Sequence, residues 1–335
     1  MTTLDFDKID TQKMASVYDQ WPSMARKSYE YEHELISSEN INHIIFAGMG
    51  GSGAIGDIFA AILSKTNIHV TVVKGYLLPK TASTDTLVVT TSISGNTIET
   101  LTILDEAYKK KCKIIAFSSG GKMEDFCKKN NVEFRKIEKI HSPRASFTSF
   151  LYSMLKILSP IIPITKMDIE ESLEKLEQLQ TKINSNNLSE NNSALKLALW
   201  IKKIPIIYYP HGLQAAAIRF KNSLQENAKT HAVVEDIIES CHNGIVAWEG
   251  ESEFQPILLQ GKNDYIKTKE RWNVLKDYFQ SNEIDFWETY SENGNILSKI
   301  ISLIYLYDFC SIYLAIRNKI DPSPVKSIDF IKSRI

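Results

Sequence analysis

Two loops rich in glycine and hydroxyl side chains are the segments of this chain whose residue types and spacing could do chemistry. The first, Gly48-Met49-Gly50-Gly51-Ser52-Gly53, directly follows the apolar run His43-Ile44-Ile45-Phe46-Ala47. Glycines there let the backbone approach a ligand closely, and a helix opening after them offers N–H groups and partial positive charge to an anion. The spacing also satisfies the dinucleotide pattern G-x-G-x-x-G, which further requires an acidic residue about 20 positions on to hold a ribose hydroxyl. The next strand instead ends Val72-Val73-Lys74-Gly75, with no carboxylate. A tight strand-to-helix turn without any ligand is the plain alternative. The second loop, Thr91-Ser92-Ile93-Ser94-Gly95-Asn96-Thr97-Ile98-Glu99-Thr100, weighs against that alternative. Asn96 and Glu99 could form a capping box, but capping needs one polar side chain, and here Ser92, Ser94 and Thr97 gather around a glycine. Three hydroxyl donors with a helix N-terminus make a neutral phosphate-binding bowl that needs no lysine.

The elements that must position these loops alternate along the chain. A leading helix is expected over about residues 10–37. Strands follow at 43–47, 68–73, 86–90, 113–117 and 132–134, with helices after the first loop and from about 97 to 110. Such alternation predicts a parallel, doubly wound sheet, with the two loops at the ends of two of its strands and facing one crevice. Residues from about 147 to 200 read as mainly helical, and the Asn/Ser-rich stretch 184–192 is the best linker candidate. The alternation then repeats, with strands at 205–209, 256–260 and 284–287 and helices at about 212–228, 266–281 and 295–318, before a short terminal helix. Where the first half has its glycine loop, the second has Tyr209-Pro210-His211-Gly212, which cannot wrap an anion in the same way.

Bulk properties narrow the classes. At 335 residues two domains are expected, and a composition 43% hydrophobic and 24% charged is that of a core-forming protein. The formal net charge of −1 gives no overall electrostatic case for nucleic acid or an anionic membrane as partner. The four cysteines, Cys112, Cys127, Cys241 and Cys310, are spaced neither as metal ligands nor as a disulfide framework. The first residues do not read as a secretory signal, and the apolar stretch 300–316 is interrupted by Ser302, Asp308 and Ser311. Cytoplasmic location is the simplest expectation.

The segment Gly50-Gly51-Ser52-Gly53 together with the S-x-S-G-N-T-x-E-T loop resembles a sugar isomerase (SIS) domain. More narrowly, the chain resembles the bifunctional phosphoglucose/phosphomannose isomerases, built from two such domains. The narrower likeness rests on Pro143-Arg144-Ala145, Gln225-Glu226-Asn227-Ala228-Lys229, His242-Asn243 and the terminal Asp321-Pro322…Lys332. It implies two doubly wound α/β domains with flanking helices: residues 1–150 with the phosphate loops, a helical connection over 151–190, and residues 191–335 with most of the chemistry. It implies an aldose–ketose isomerase converting glucose 6-phosphate, and mannose 6-phosphate, to fructose 6-phosphate through an enediol, with neither metal nor organic cofactor. Phosphate contacts would come from Gly51, Ser52, Ser92, Ser94 and Thr97. Glu226 would be the base at C2, His242 and Lys332 would open the ring, and Arg144 would lie against the enediolate. A homodimer with histidine shared across subunits is also implied.

Pattern alone is less specific at these four positions. On the expected helix Leu213, Ala217, Phe220 and Leu224 form the apolar stripe, which leaves Glu226 on a polar face with Arg219 and Asn222. His242 before Asn243-Gly244 also fits a turn residue, and Cys241 replaces the asparagine usual in the family. Arg144 also fits a solvated loop. Ser323-Pro324 reads as a helix start, which puts Lys332 on the stripe of Val325, Ile328 and Ile335, as an inward-pointing or a snorkelling lysine. The rival reading from another class is a sugar-phosphate-sensing SIS protein without catalysis, which would need none of Glu226, His242 and Lys332.

Overall fold

Apolar runs at 43–47, 87–92 and 113–118 lie side by side as parallel strands in the computed structural model, which describes residues 5–37 and 41–334. Two compact units are formed: one from Gln20–Leu173, the other from Met1–Asp19 with Glu174–Ile335.

In the Gln20–Leu173 unit, β1 (His43–Ala47), β2 (His69–Val73), β3 (Leu87–Ser92), β4 (Lys113–Ser118) and β5 (Glu133–Lys136) make one sheet in the order β2-β1-β3-β4-β5. All neighbours are parallel, and Ala47 pairs with Thr90, so β1 and β3 end beside each other. The chain reverses direction across the sheet between these two strands, which is where doubly wound sheets open a crevice for ligands. Every residue of β3 is buried, as expected of a central strand covered on both faces. Helices α1 (Gly50–Leu63), α2 (Ile98–Lys109) and α3 (Gly121–Asn130) return the chain between strands; the last was not foreseen from sequence. Its short, charged run Gly-Lys-Met-Glu-Asp-Phe-Cys-Lys-Lys-Asn buries only Met123 and Cys127. The leading helix is broken: Met14–Asp19 ends and Trp21–Glu30 begins anew at Pro22, a proline tolerated only in a first turn. Residues 32–37 are not helical.

In the other unit, β6 (Ile204–Tyr209), β7 (Val233–Asp236), β8 (Phe254–Gln260) and β9 (Trp287–Tyr290) form a parallel sheet in the order β7-β6-β8-β9, the same winding one strand shorter. Strand β7 escapes sequence reading because it is a four-residue edge strand, partly exposed throughout. Strand β9 starts at Trp287 rather than Ile284, whose N–H instead donates to the Phe279 carbonyl and closes the preceding helix. Helix α4 (Gln214–Glu226) is preceded by a 3-10 turn at His211–Leu213, and α5 (Ile237–Ser240) follows β7. The core of this unit is α6 (Ile296–Arg317), with a most apolar window of mean hydropathy 1.6 that is 89% buried inside the protein. A short helix, α7 (Lys326–Lys332), completes the described chain.

Candidate active site

The two loops predicted to hold phosphate follow β1 and β3 and approach each other closely. A Cβ placed on Gly48 would sit 2.9 Å from the Thr91 carbonyl oxygen. Met49 precedes α1 without any side-chain cap, and Gly51 and Ser52 stand in its first turn. Thr97 occupies the cap position of α2, again with no side-chain cap bond. The Asn96–Glu99 capping box therefore does not form. Asn96 instead accepts the Lys122 N–H on its side-chain oxygen at 3.1 Å and donates to the Ser94 carbonyl at 3.0 Å, tying this loop to α3. Gly95 has φ +70°, and a Cβ there would lie 1.7 Å from the Gly120 carbonyl oxygen, so only glycine fits.

Hydroxyl directions follow from the bonds. Ser92 donates to the Thr97 hydroxyl at 2.9 Å, and Ser94 accepts the Asn96 N–H at 3.3 Å. The Thr97 and Ser94 hydroxyl protons are thereby left to point elsewhere, and Ser92 polarises Thr97 as a donor. Lys74, at the end of β2, packs its stem 3.1 Å from a Cβ built on Gly53 and places its ammonium 2.6 Å from Asp57. Burial raises the Asp57 pKa, with Lys74 opposing that rise. The bowl thus presents hydroxyls and helix amides, with the neighbouring lysine already paired. Arg144 belongs to the same unit and is 5% exposed, in the turn before helix Phe147–Ile157. The solvated-loop alternative for it is excluded.

Glu226, His242 and Lys332 belong to the other unit. Glu226 is half-buried in the last turn of α4. The polar face it was expected to share is only partly solvated: Asn222 is half-buried, whereas Arg219 is 2% exposed and forms an ion pair, 2.6 Å from Nη2 to Oδ2, with fully buried Asp308 of α6. Ser223 donates to the same carboxylate, Ser311 donates to the Asp308 backbone carbonyl at 2.6 Å, and Asn227 Nδ2 donates to Ser311 at 2.9 Å. Burial lowers the Arg219 pKa, but the charge and hydrogen bonds of Asp308, with smaller contributions from Tyr18 and Glu226, outweigh it and leave the guanidinium above its ordinary value. This polar core grips α4 on the turns that carry Glu226. Sequence reading missed it, because Asp308 in an apolar run was visible but its partner 89 positions away was not.

His242 is exposed, in the turn after α5. Asn243 Nδ2 donates to Glu239 at 2.7 Å, and a Cβ on Gly244 would sit 2.7 Å from Glu235 Oε2, so the turn is moulded on two carboxylates. Burial raises the Glu235 pKa, against a lowering by its hydrogen bond with the Tyr208 hydroxyl. The start of the helix carrying Lys332 departs from expectation. Helix α7 starts at Lys326, not at Ser323-Pro324, because the Ser323 N–H is held by Asp321 Oδ1 at 3.0 Å and the two prolines keep the segment out of the helix. Lys332 is exposed, Val325 and Ile328 are half-buried, and Ile335 lies outside the described residues. Among the described residues, no hydrogen bond or ion pair joins His242 to Lys332, and no three His, Cys, Asp or Glu side chains cluster as metal ligands do.

Comparison with known proteins places both halves. The SIS domain profile matches residues 36–159, and that of the bacterial phospho-glucose isomerase C-terminal SIS domain matches residues 190–335. A bifunctional phosphoglucose/phosphomannose isomerase of Caldicellulosiruptor bescii is 33% identical over 96% of this chain and 98% of its own length. The protein of the same name from Aquifex aeolicus is 29% identical over 87% and 90%. In fold the chain is similar to tagatose-6-phosphate ketose/aldose isomerase from Escherichia coli, with TM-score 0.68, 16% identity, and coverage of 95% and 96%.

Proposed function

Because the chain belongs to the family of bifunctional phosphoglucose/phosphomannose isomerases, we propose that it interconverts glucose 6-phosphate and mannose 6-phosphate with fructose 6-phosphate through an enediol. The observation that carries this reading is the pair of helix N-termini, α1 and α2, without side-chain caps and ringed by Ser52, Ser92, Ser94 and Thr97 where the first sheet changes direction. Amides and hydroxyls suit a phosphate dianion, since each donates without bringing a counter-charge that must be desolvated.

Isomerisation then moves one proton between C1 and C2. Glu226 takes the C2 proton and returns it at C1, His242 and Lys332 handle the ring oxygen and O1 during ring opening, and Arg144 stabilises charge on the enediolate. The fixed seat of Glu226 at the end of α4 and the burial of Arg144 support these roles. The enzyme is further read as a cytosolic homodimer in which histidine crosses the interface. The 59% and 58% exposure of Phe330 and Ile331 on α7 supports a covered surface there.

The test is production of fructose 6-phosphate from each aldose by wild type and by Glu226→Gln, with binding followed calorimetrically. The amide keeps the shape but cannot take a proton, so turnover should vanish while binding persists. Retention of a tenth of wild-type kcat, about 1.4 kcal/mol, would place the base elsewhere. Binding with no turnover by wild type would make the protein a sensor.

A further inference from the structure

We propose that Lys229 is a positioning residue whose ammonium clamps the end of the helix carrying Glu226 to the segment that leads into the helix carrying Lys332. The inference rests on the reading above that Glu226 and Lys332 take part in proton transfer. Helix α4 closes through the Asn227 N–H to Ser223 O at 2.8 Å and the Ala228 and Thr230 N–H groups, both to Leu224 O at 3.1 Å. Lys229 stands in that closing turn with φ +52°, in the left-handed region, which any Cβ disfavours and glycine does not. Lys13, Lys111 and Lys319 share that region, so a use for the Lys229 side chain has to be read from its contacts.

That use is visible. Lys229 Nζ lies 2.8 Å from the Glu226 carbonyl oxygen and 3.4 Å from that of Asn227, both at the C-terminal end of the helix. It also lies 3.1 Å from the Asp321 and 3.2 Å from the Pro322 carbonyl oxygen. A cation favours the negative end of a helix dipole, and here it joins that end to a second chain segment. Asp321 is fixed in turn, its carboxylate accepting from the Thr11 hydroxyl at 2.5 Å and from the Ser323 N–H. Helix α7 begins at Lys326, four positions beyond Pro322. The ammonium therefore bonds the backbone of Glu226 itself and a segment one short turn from α7.

Lys229→Gly removes the ammonium while relaxing the backbone, and Lys229→Asn does the same with a residue that also tolerates positive φ. In either variant kcat should fall about 10–100-fold, as misplacement of a catalytic group by about an ångström does. KM should stay within about threefold, because the phosphate donors lie in the other unit. The thermal midpoint should shift little, since the relaxed backbone offsets part of the lost bonds, and amides of residues 321–334 should exchange faster. The clamp is rejected if kcat in a folded variant stays within about twofold of wild type, or if that exchange is unchanged. Loss of folded structure in both variants would make Lys229 a stability residue and reject the proposal equally. Glu226→Gln serves as control: if it alone stays active, the reading of Glu226 fails. If it is inactive while Lys229→Gly is not, only the clamp fails.

Discussion

Replacing Asp308 by asparagine should cost far more than a change of one atom suggests. In the native protein Asp308 accepts from Arg219 Nε at 3.1 Å, from Arg219 Nη2 at 2.6 Å, and from the Ser223 hydroxyl. Both charged side chains are out of water, at 2% and 0% exposure. The amide keeps one accepting oxygen but turns an NH2 group toward donors, and it leaves the guanidinium charge buried without its counter-ion. Removing one partner of a buried pair typically costs about 3–5 kcal/mol. With a urea slope of about 3 kcal/mol/M, that moves the unfolding midpoint down by about 1–1.7 M. Far-UV circular dichroism across a urea series reads the shift. Arg219→Met with Asp308→Leu removes both charges, and most of the loss should return, since apolar residues of similar volume replace buried pairs at little cost. A shift of under about 1 kcal/mol for Asp308→Asn, or a double variant no better than the single one, would refute the reasoning.

Three further outcomes are expected. Ser94→Ala with Thr97→Ala removes the two hydroxyls whose protons are left to the bowl, and should raise KM for the sugar phosphate at least about tenfold with kcat changed much less; equal losses in both would move the phosphate elsewhere. If sites are shared across a two-fold interface, mixing inactive Glu226→Gln and His242→Ala subunits should return activity to roughly a quarter of wild type, because about half the dimers are mixed and each has one intact site. No recovery from demonstrably mixed dimers rejects the shared site. His43 has its pKa lowered, by burial and then by His69, whose ring centroid is 4.8 Å away. The folded state then resists a proton that the unfolded chain accepts, so this stabilisation is complete above about pH 6.5 and lost as pH falls below it. His43→Asn should flatten that part of the stability–pH curve, and an unchanged slope would discount the pair.

The fold was legible where residues announce local geometry. The glycine loop, the hydroxyl loop and the alternation of apolar runs with helices predicted two doubly wound sheets, and both are present. Boundaries slipped where a tertiary bond overrides a local signal, as when Asp321 holds the Ser323 N–H and delays α7 to Lys326. Strand β7 was invisible because an edge strand of Val-Val-Glu-Asp carries no two-sided apolar pattern. Within the site, hydroxyl clustering pointed to the bowl, whereas Glu226, His242 and Lys332 came from resemblance alone. Periodicity put Glu226 on a polar face, and what it could not show is that Arg219 on that face pairs with a buried aspartate from α6. Long-range partners of this kind leave no mark in local spacing.

The division of the chain into units also governs how the protein is made. The Gln20–Leu173 unit is one continuous stretch and can close as soon as its last strand and covering helices leave the ribosome. The other unit draws on both ends of the sequence: the Tyr18 carbonyl accepts from the Tyr305 hydroxyl, and Thr11 donates to Asp321, 310 positions later. At the usual rates of synthesis, Thr11 waits on the order of 15–60 s for that partner. During this interval the Tyr18 carbonyl cannot yet meet the Tyr305 hydroxyl, nor its ring that of Phe309. The leading stretch therefore reaches its native contacts only after α6 and the segment that follows it have been made.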